Sequence, residues 1–217
     1  MDAASVRVDL FIAAIALVYL AALAFGVAAL ACRRLGRGLR WVRRLVLSLA
    51  VLGVGCFLYA WRIEPYWLDV THTRVATGKL TRPVRIVQIS DVHSDPRPRL
   101  EDELPAAIAA EHPDVIVFTG DALNAPSGLA VFRSLMTRLA AIAPTYAVRG
   151  NWDVWFWREL DLFGGTGVVE LTGAAVRAPI PGAEVWIAGV PVGGERNMPG
   201  VLATVPSGAL SVLLFHY

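Results

Sequence analysis

VRIVQISDVH, residues 84–93, is the stretch from which the fold is read. Val84–Ile89 has the β-branched, apolar character of a strand, and it stops on Ser90-Asp91-Val92-His93. The same plan recurs twice. Val115–Thr119 runs into Gly120-Asp121, and Tyr146–Val148, after Pro144, runs into Arg149-Gly150-Asn151-Trp152-Asp153. Leu100–Glu111 and Leu129–Ile142 between them read as helices. Val168–Leu171, Val185–Val190 and Leu210–Phe215 are further strand candidates, the last stopping on His216. Strand, helix, strand in succession predicts an α/β fold with right-handed crossovers and a largely buried sheet. Ligands of such sheets bind beyond the carboxyl ends of the strands.

Each polar cluster is weak by itself. Asp-x-His is ordinarily a loop pair, Gly-Asp and Gly-Asn are ordinarily turns, and a lone histidine at a strand end is ordinarily packed or solvated. Their joint order at the ends of successive strands is the signal. Carboxylate, imidazole and amide oxygen suit divalent ions such as Mn, Fe or Zn without a thiolate. Glycine before Asp121 and before Asn151 allows tight turns that aim the next side chain over the sheet edge.

The ordered set Asp91-x-His93, Gly120-Asp121, Gly150-Asn151-Trp152-Asp153 and His216 resembles the calcineurin-like metallophosphoesterases over residues 84–217. Within that family it is similar to the membrane-anchored bacterial branch, with phosphodiesterases of the UDP-2,3-diacylglucosamine hydrolase type. The resemblance implies a metallophosphoesterase sandwich and two divalent ions that activate a hydroxide for attack on phosphorus. It implies Asp91 and His93 on the first ion, Asp121 bridging, and Asn151 and His216 on the second. Asp153 would act behind the ligands, bonding a ligand or a backbone group. Two departures stand out. Trp152 replaces the family's usual histidine after the Asn and cannot relay a proton. The family's closing Gly-His-x-His is not found in these residues, so a truncated domain is expected. Three activities stay open: hydrolysis of a phosphodiester or pyrophosphate, a phosphomonoesterase, and a catalytically impaired, membrane-tethered binding or scaffold protein.

The N-terminal third differs in kind. Residues 1–61 hold seven Arg against two Asp, a net charge of +5, while residues 62–217 carry −3. The mean hydropathy is +0.54 and 56% of residues are hydrophobic, which directs attention to membrane segments. Leu10–Cys32 and Leu45–Trp61 are uncharged apolar runs flanking a basic loop, Arg33–Arg44, with six arginines. We expect a transmembrane hairpin over 1–61, a tether over 62–83 and the catalytic domain over 84–217. Positive-inside counting puts the loop in the cytoplasm, making this a multi-pass protein of the inner (plasma) membrane with an extracytoplasmic domain. Arg43-Arg44 loosely resembles a twin-arginine signal, with the same outcome for the domain. Cys32 and Cys56 are too far apart on such a hairpin to pair.

Expected partners are the lipid bilayer and a phosphate-ester substrate, with lipid-linked esters included. No basic patch on the domain suggests nucleic acid, and no protein partner is predicted. Trp152, Trp155, Phe156 and Trp157 read as a helix packing into the core or as an aromatic rim for acyl chains. Arg149 is expected in a surface salt bridge, His72 and His112 outside the ligand pattern, and Gly193-Gly194…Gly200 as a mobile loop.

Overall fold

The computed structural model describes residues 3–31 and 37–216, which fall into two compact units, Met1–Trp67 and Leu68–Tyr217. The first contains α1 (Ala3–Ala31) and α2 (Arg37–Arg62). Glycines mark where these helices meet. A methyl group on Gly26 would strike Leu47, and one on Gly53 would strike Tyr19, so the missing side chains permit close approach. Among the described residues, one helical stretch is long and apolar enough to cross a membrane, Arg40–Tyr66; Ile15–Ala28 is a shorter apolar stretch. The expected basic loop needs correction, because α2 already begins at Arg37. Arginine is a good helix former, so Arg37–Arg44 extends the helix. Cys32, Arg33 and Arg34 lie outside the described residues, and Cys56 is free and exposed.

The second unit is built on two sheets. β1 (Ile86–Ile89), β2 (Val115–Phe118), β3 (Thr145–Ala147) and the short β4 (Val169–Glu170) form a parallel sheet in that order. Ile89 lies beside Phe118, and Phe118 beside Ala147. The strands therefore end level, and the polar segments that follow them emerge side by side. β5 (Ala174–Arg177), β6 (Val185–Gly189) and β7 (Leu210–Leu214) form the other sheet, with β5 antiparallel and β7 parallel to β6.

Alternation in β2 shows how the layers stack. Val115 and Val117 join Val185, Ile187 and Leu214 in a core between the sheets. Ile116 and Phe118 face the opposite way, onto α3 (Leu104–Ala110) through Ile108 and α4 (Leu129–Ala140) through Phe132, Leu135, Met136 and Leu139. Both faces of β2 are buried, as expected for a parallel sheet covered by helices. Phe118, Phe132 and Phe163 meet at centroid distances of 5.3–6.1 Å beneath the end of β2. On the far side of the second sheet, α6 (Met198–Ala203) sets Val201 against Ala188 and Val190. The order of layers is helix, sheet, sheet, helix, an α/β sandwich.

Several boundaries differ from the reading of the sequence. The helix expected over Leu100–Glu111 starts at Leu104, because Pro105 fits only in a first turn. The stretch Gly193–Gly200, expected as a mobile loop, contains a 3-10 turn at Glu195–Asn197 and enters α6, whose Pro199 again occupies the first turn. β5 was not expected. Its Ala-Ala-Val-Arg has no apolar alternation and is defined by its backbone pairing with β6. The tether also ends earlier than residue 83. Lys79 Nζ donates to the Ala209 carbonyl at 2.8 Å, Leu80 and Val84 pack into the core between the sheets, and Arg82 pairs with Asp114 at 3.0 Å.

Candidate metal centre

Backbone hydrogen bonds extend the pairing of β1 and β2 past their last residues. The N–H groups of Asp91, His93 and Ser94 donate to the carbonyls of Gly120, Asp121 and Ala122 at 2.8–3.0 Å. This ladder fixes the segment carrying Asp91 and His93 beside the one carrying Asp121. The result is a trio, Asp91, His93 and Asp121, whose donor atoms all lie within 4.8 Å of one another.

The same three residues have left-handed backbone, with φ of 54°, 45° and 60°. Such conformations cost about 1–3 kcal/mol each outside glycine and gather where function requires them. Only His112, at φ 49° before Pro113, shares this property among the described non-glycine residues. The glycines between the segments have a steric role. A Cβ on Gly120 (φ 106°) would collide with the backbone of Gly150, and one on Gly150 would collide with Asp121. The turns after β2 and β3 touch backbone to backbone, which brings Asn151 beside Asp121.

Asp153 ties these turns together. It is fully buried, and its carboxylate accepts from the N–H groups of Asp121 (2.8 Å), Ala122 (2.9 Å) and Gly150 (3.0 Å). Burial dominates and leaves its pKa raised above the ordinary carboxylate value, with the neighbouring Asp121 charge adding to it, although the three N–H donors pull the other way. It lies in the first turn of α5 (Asn151–Phe156), where a carboxylate also complements the helix dipole.

The carboxylate of Asp121 is divided in its partners. Oδ1 accepts the Trp152 N–H at 2.9 Å, while Oδ2 stands 3.5 Å from His93 Nε2 and 3.7 Å from His216 Nε2. Two ligands each about 2.1 Å from one ion lie roughly 3.0–3.5 Å apart at ordinary coordination angles, so the first spacing fits a shared cation and the second is slightly long. His216 gives a further indication. Its Nδ1 is 2.8 Å from the Thr119 carbonyl, which can only accept, so Nδ1 carries the proton. In the neutral imidazole, Nε2 then presents a lone pair toward Asn151 Oδ1, 2.9 Å away. A lone pair so placed either accepts from the Asn151 amide NH₂, once that amide is turned over, or shares a cation with its oxygen, and the donor set as a whole fits a divalent ion.

The residues expected as ligands come together: Asp91, His93 and Asp121 form the trio, His216 reaches both Asp121 and Asn151, and Asp153 accepts from the N–H groups of Asp121 and Gly150. The sequence of one family, calcineurin-like phosphoesterase, matches residues 84–196, more than half of the chain. The chain belongs to the calcineurin-like phosphoesterase family. No curated protein matches it. Calcineurin-like phosphoesterases act on phosphoester bonds with divalent metals, and in this member Asp91, His93 and Asp121 are a group able to hold a metal.

Other residues of this phosphoesterase fall outside the centre. Arg149 is a structural pin: Nε meets Glu170 at 2.6 Å, and its remaining nitrogens donate to the carbonyls of Trp157, Arg158 and Leu160. The aromatic group divides. Trp157 is buried and donates to the Leu123 carbonyl, Trp152 and Phe156 pack on the core, and Trp155 is exposed. His72 bonds Glu111 at 2.8 Å on the surface. One supporting residue went unnoticed in the sequence. Arg99 Nη2 donates to the His93 carbonyl at 2.7 Å, holding the strained turn from outside. An arginine whose acceptors are main-chain carbonyls leaves no spacing pattern to detect.

Proposed function

We propose that this chain is a membrane-anchored phosphoesterase that holds two divalent ions, Mn, Fe or Zn, and hydrolyses a phosphodiester or pyrophosphate. The observation that carries this reading is Asp121 Oδ2, a single oxygen that faces imidazoles from two separate segments, His93 and His216. That position supports a bridging role, with Asp91 and His93 on the first ion and Asn151 and His216 on the second. Such ions supply Lewis-acid charge at phosphoryl oxygens and a hydroxide nucleophile at neutral pH. The carboxylates of Asp91 and Asp121 offset part of the cationic charge, and Asp153 keeps the ligand-bearing turns at their spacing.

Trp152 favours diesters and pyrophosphates over monoesters. Its indole has a single N–H and cannot protonate a departing alkoxide, so the site suits leaving groups that need little acid assistance. The apolar stretch Arg40–Tyr66 supports a membrane anchor. With α1 as a second crossing and the arginines of 33–44 on the cytoplasmic side, the phosphoesterase domain faces outward from the inner (plasma) membrane. A lipid-linked phosphate ester suits a domain tethered there.

The test is turnover of bis-(p-nitrophenyl) phosphate and of p-nitrophenyl phosphate by the purified full chain with added Mn²⁺. Metal-dependent cleavage with the diester preferred is expected, and Asp121→Asn abolishes it. Faster cleavage of the monoester would overturn the diester reading. Bound Mn²⁺ with no turnover of either compound would replace the enzyme by a tethered binding protein.

A further inference from the structure

We infer that Trp152 is a positioning residue of the metal centre, holding His93 through its ring and Asp121 through its backbone. The inference rests on the reading of Asp91, His93 and Asp121 as ion ligands. Trp152 is the second residue of α5, and its N–H donates to Asp121 Oδ1 at 2.9 Å. That bond commits one carboxylate oxygen and turns the other toward the two histidines. Its indole meets the His93 imidazole at a centroid distance of 5.8 Å and an interplanar angle of 83°, a T-shaped contact. On its other side the indole packs against Phe156 at 4.7 Å. The ring is thus clamped between a core aromatic and a ligand.

His93 needs this support because it lacks the usual one. A ligating histidine ordinarily donates its second ring N–H to a carboxylate or carbonyl, which fixes the ring's orientation. His216 follows that rule through the Thr119 carbonyl. Among the described residues, His93 Nδ1 is buried without a hydrogen-bond partner, and so is Trp152 Nε1. No polar group among the described residues holds the His93 ring from behind; the T-shaped contact with Trp152 takes that place. Where the family ordinarily carries a histidine, this chain therefore uses the residue to fix a ligand.

The experiment titrates the detergent-solubilised full chain with Mn²⁺ alone, followed by calorimetry and by tryptophan emission, which paramagnetic Mn²⁺ quenches at short range. Trp152→Leu and Trp152→Phe both keep the backbone N–H to Asp121, so a difference between them isolates the ring. Trp152→Phe is expected to bind Mn²⁺ as the wild type does. Trp152→Leu is expected to bind it about 10-fold more weakly or worse, the range typical of groups that orient metal ligands. Trp152→Phe should also lose most of the Mn²⁺-dependent quench. Wild-type affinity in Trp152→Leu overturns the inference and leaves the metal centre intact. Failure of the wild type to bind Mn²⁺ overturns both. Should Trp152→Leu unfold, the quench decides, since its persistence in Trp152→Phe would show that another indole lies beside the ion.

Discussion

Replacing Asp153 by Asn removes one negative charge and changes almost no volume, yet it strikes the join between two turns. The carboxylate accepts three backbone N–H groups, two at Oδ2 (Asp121 and Gly150) and one at Oδ1 (Ala122). An asparagine amide keeps a single acceptor. With its oxygen in place of Oδ2, two of the bonds survive, but its NH₂ then faces the Ala122 N–H. One charge-assisted bond is lost, worth roughly 1.5–3 kcal/mol, and two donors are left opposed in a dry site, so the expected loss of stability is about 2–4 kcal/mol. Ala122 and Asp121 follow Gly120 directly, so the same disturbance reaches the ligand itself. Urea denaturation of the solubilised chain, followed by circular dichroism, reads the stability, and Mn²⁺ calorimetry reads the site. A variant with wild-type urea midpoint and wild-type Mn²⁺ affinity would refute the claim that Asp153 holds the turns together.

Three further outcomes follow from the same geometry. Gly120→Ala places a methyl on a φ of 106° and against the backbone of Gly150, and should cost more than about 2 kcal/mol in the same denaturation assay, from strain and overpacking together. Arg99→Ala releases the Val92 and His93 carbonyls and should cost about 0.5–1.5 kcal/mol while weakening Mn²⁺ binding measured by calorimetry. Asp114 is partly buried, which raises its pKa, but the Arg85 N–H and the Arg82 guanidinium outweigh that and hold it below its ordinary 3.8. A depressed carboxylate stabilises the fold above the unfolded pKa and loses that contribution as pH falls through the folded one. Melting temperatures of wild type and Asp114→Asn should therefore differ at neutral pH and converge in acid well below pH 3.8.

The sheet that carries the site was legible because β2 is apolar at four successive positions, Val115–Phe118, and such a run is what burial on both faces demands. The polar residues just beyond it stood out against that background. Backbone conformation at the site did not. Nothing in the identities of Asp91, His93 and Asp121 announces a positive φ, which arises only when the paired turns lock together. β5 escaped because alanine-rich edges owe their place to main-chain pairing, and α6 because glycine and proline at its start resemble a loop. Arg149 was expected in a surface salt bridge, and it does pair with Glu170, but three main-chain carbonyls also accept from its guanidinium and draw it largely out of solvent. The basic segment after the first apolar run was read as a loop because arginine suggests solvent, although arginine also extends helices well.

The central claim is that donors from separate strands converge on a shared cation at Asp121 Oδ2. Calorimetric titration of the full chain with Mn²⁺, repeated on Asp121→Ala, tests it most directly. Saturable binding in the wild type that disappears in the variant is predicted. Binding that survives the loss of Asp121 unchanged, or no binding to the folded wild-type chain, would contradict it.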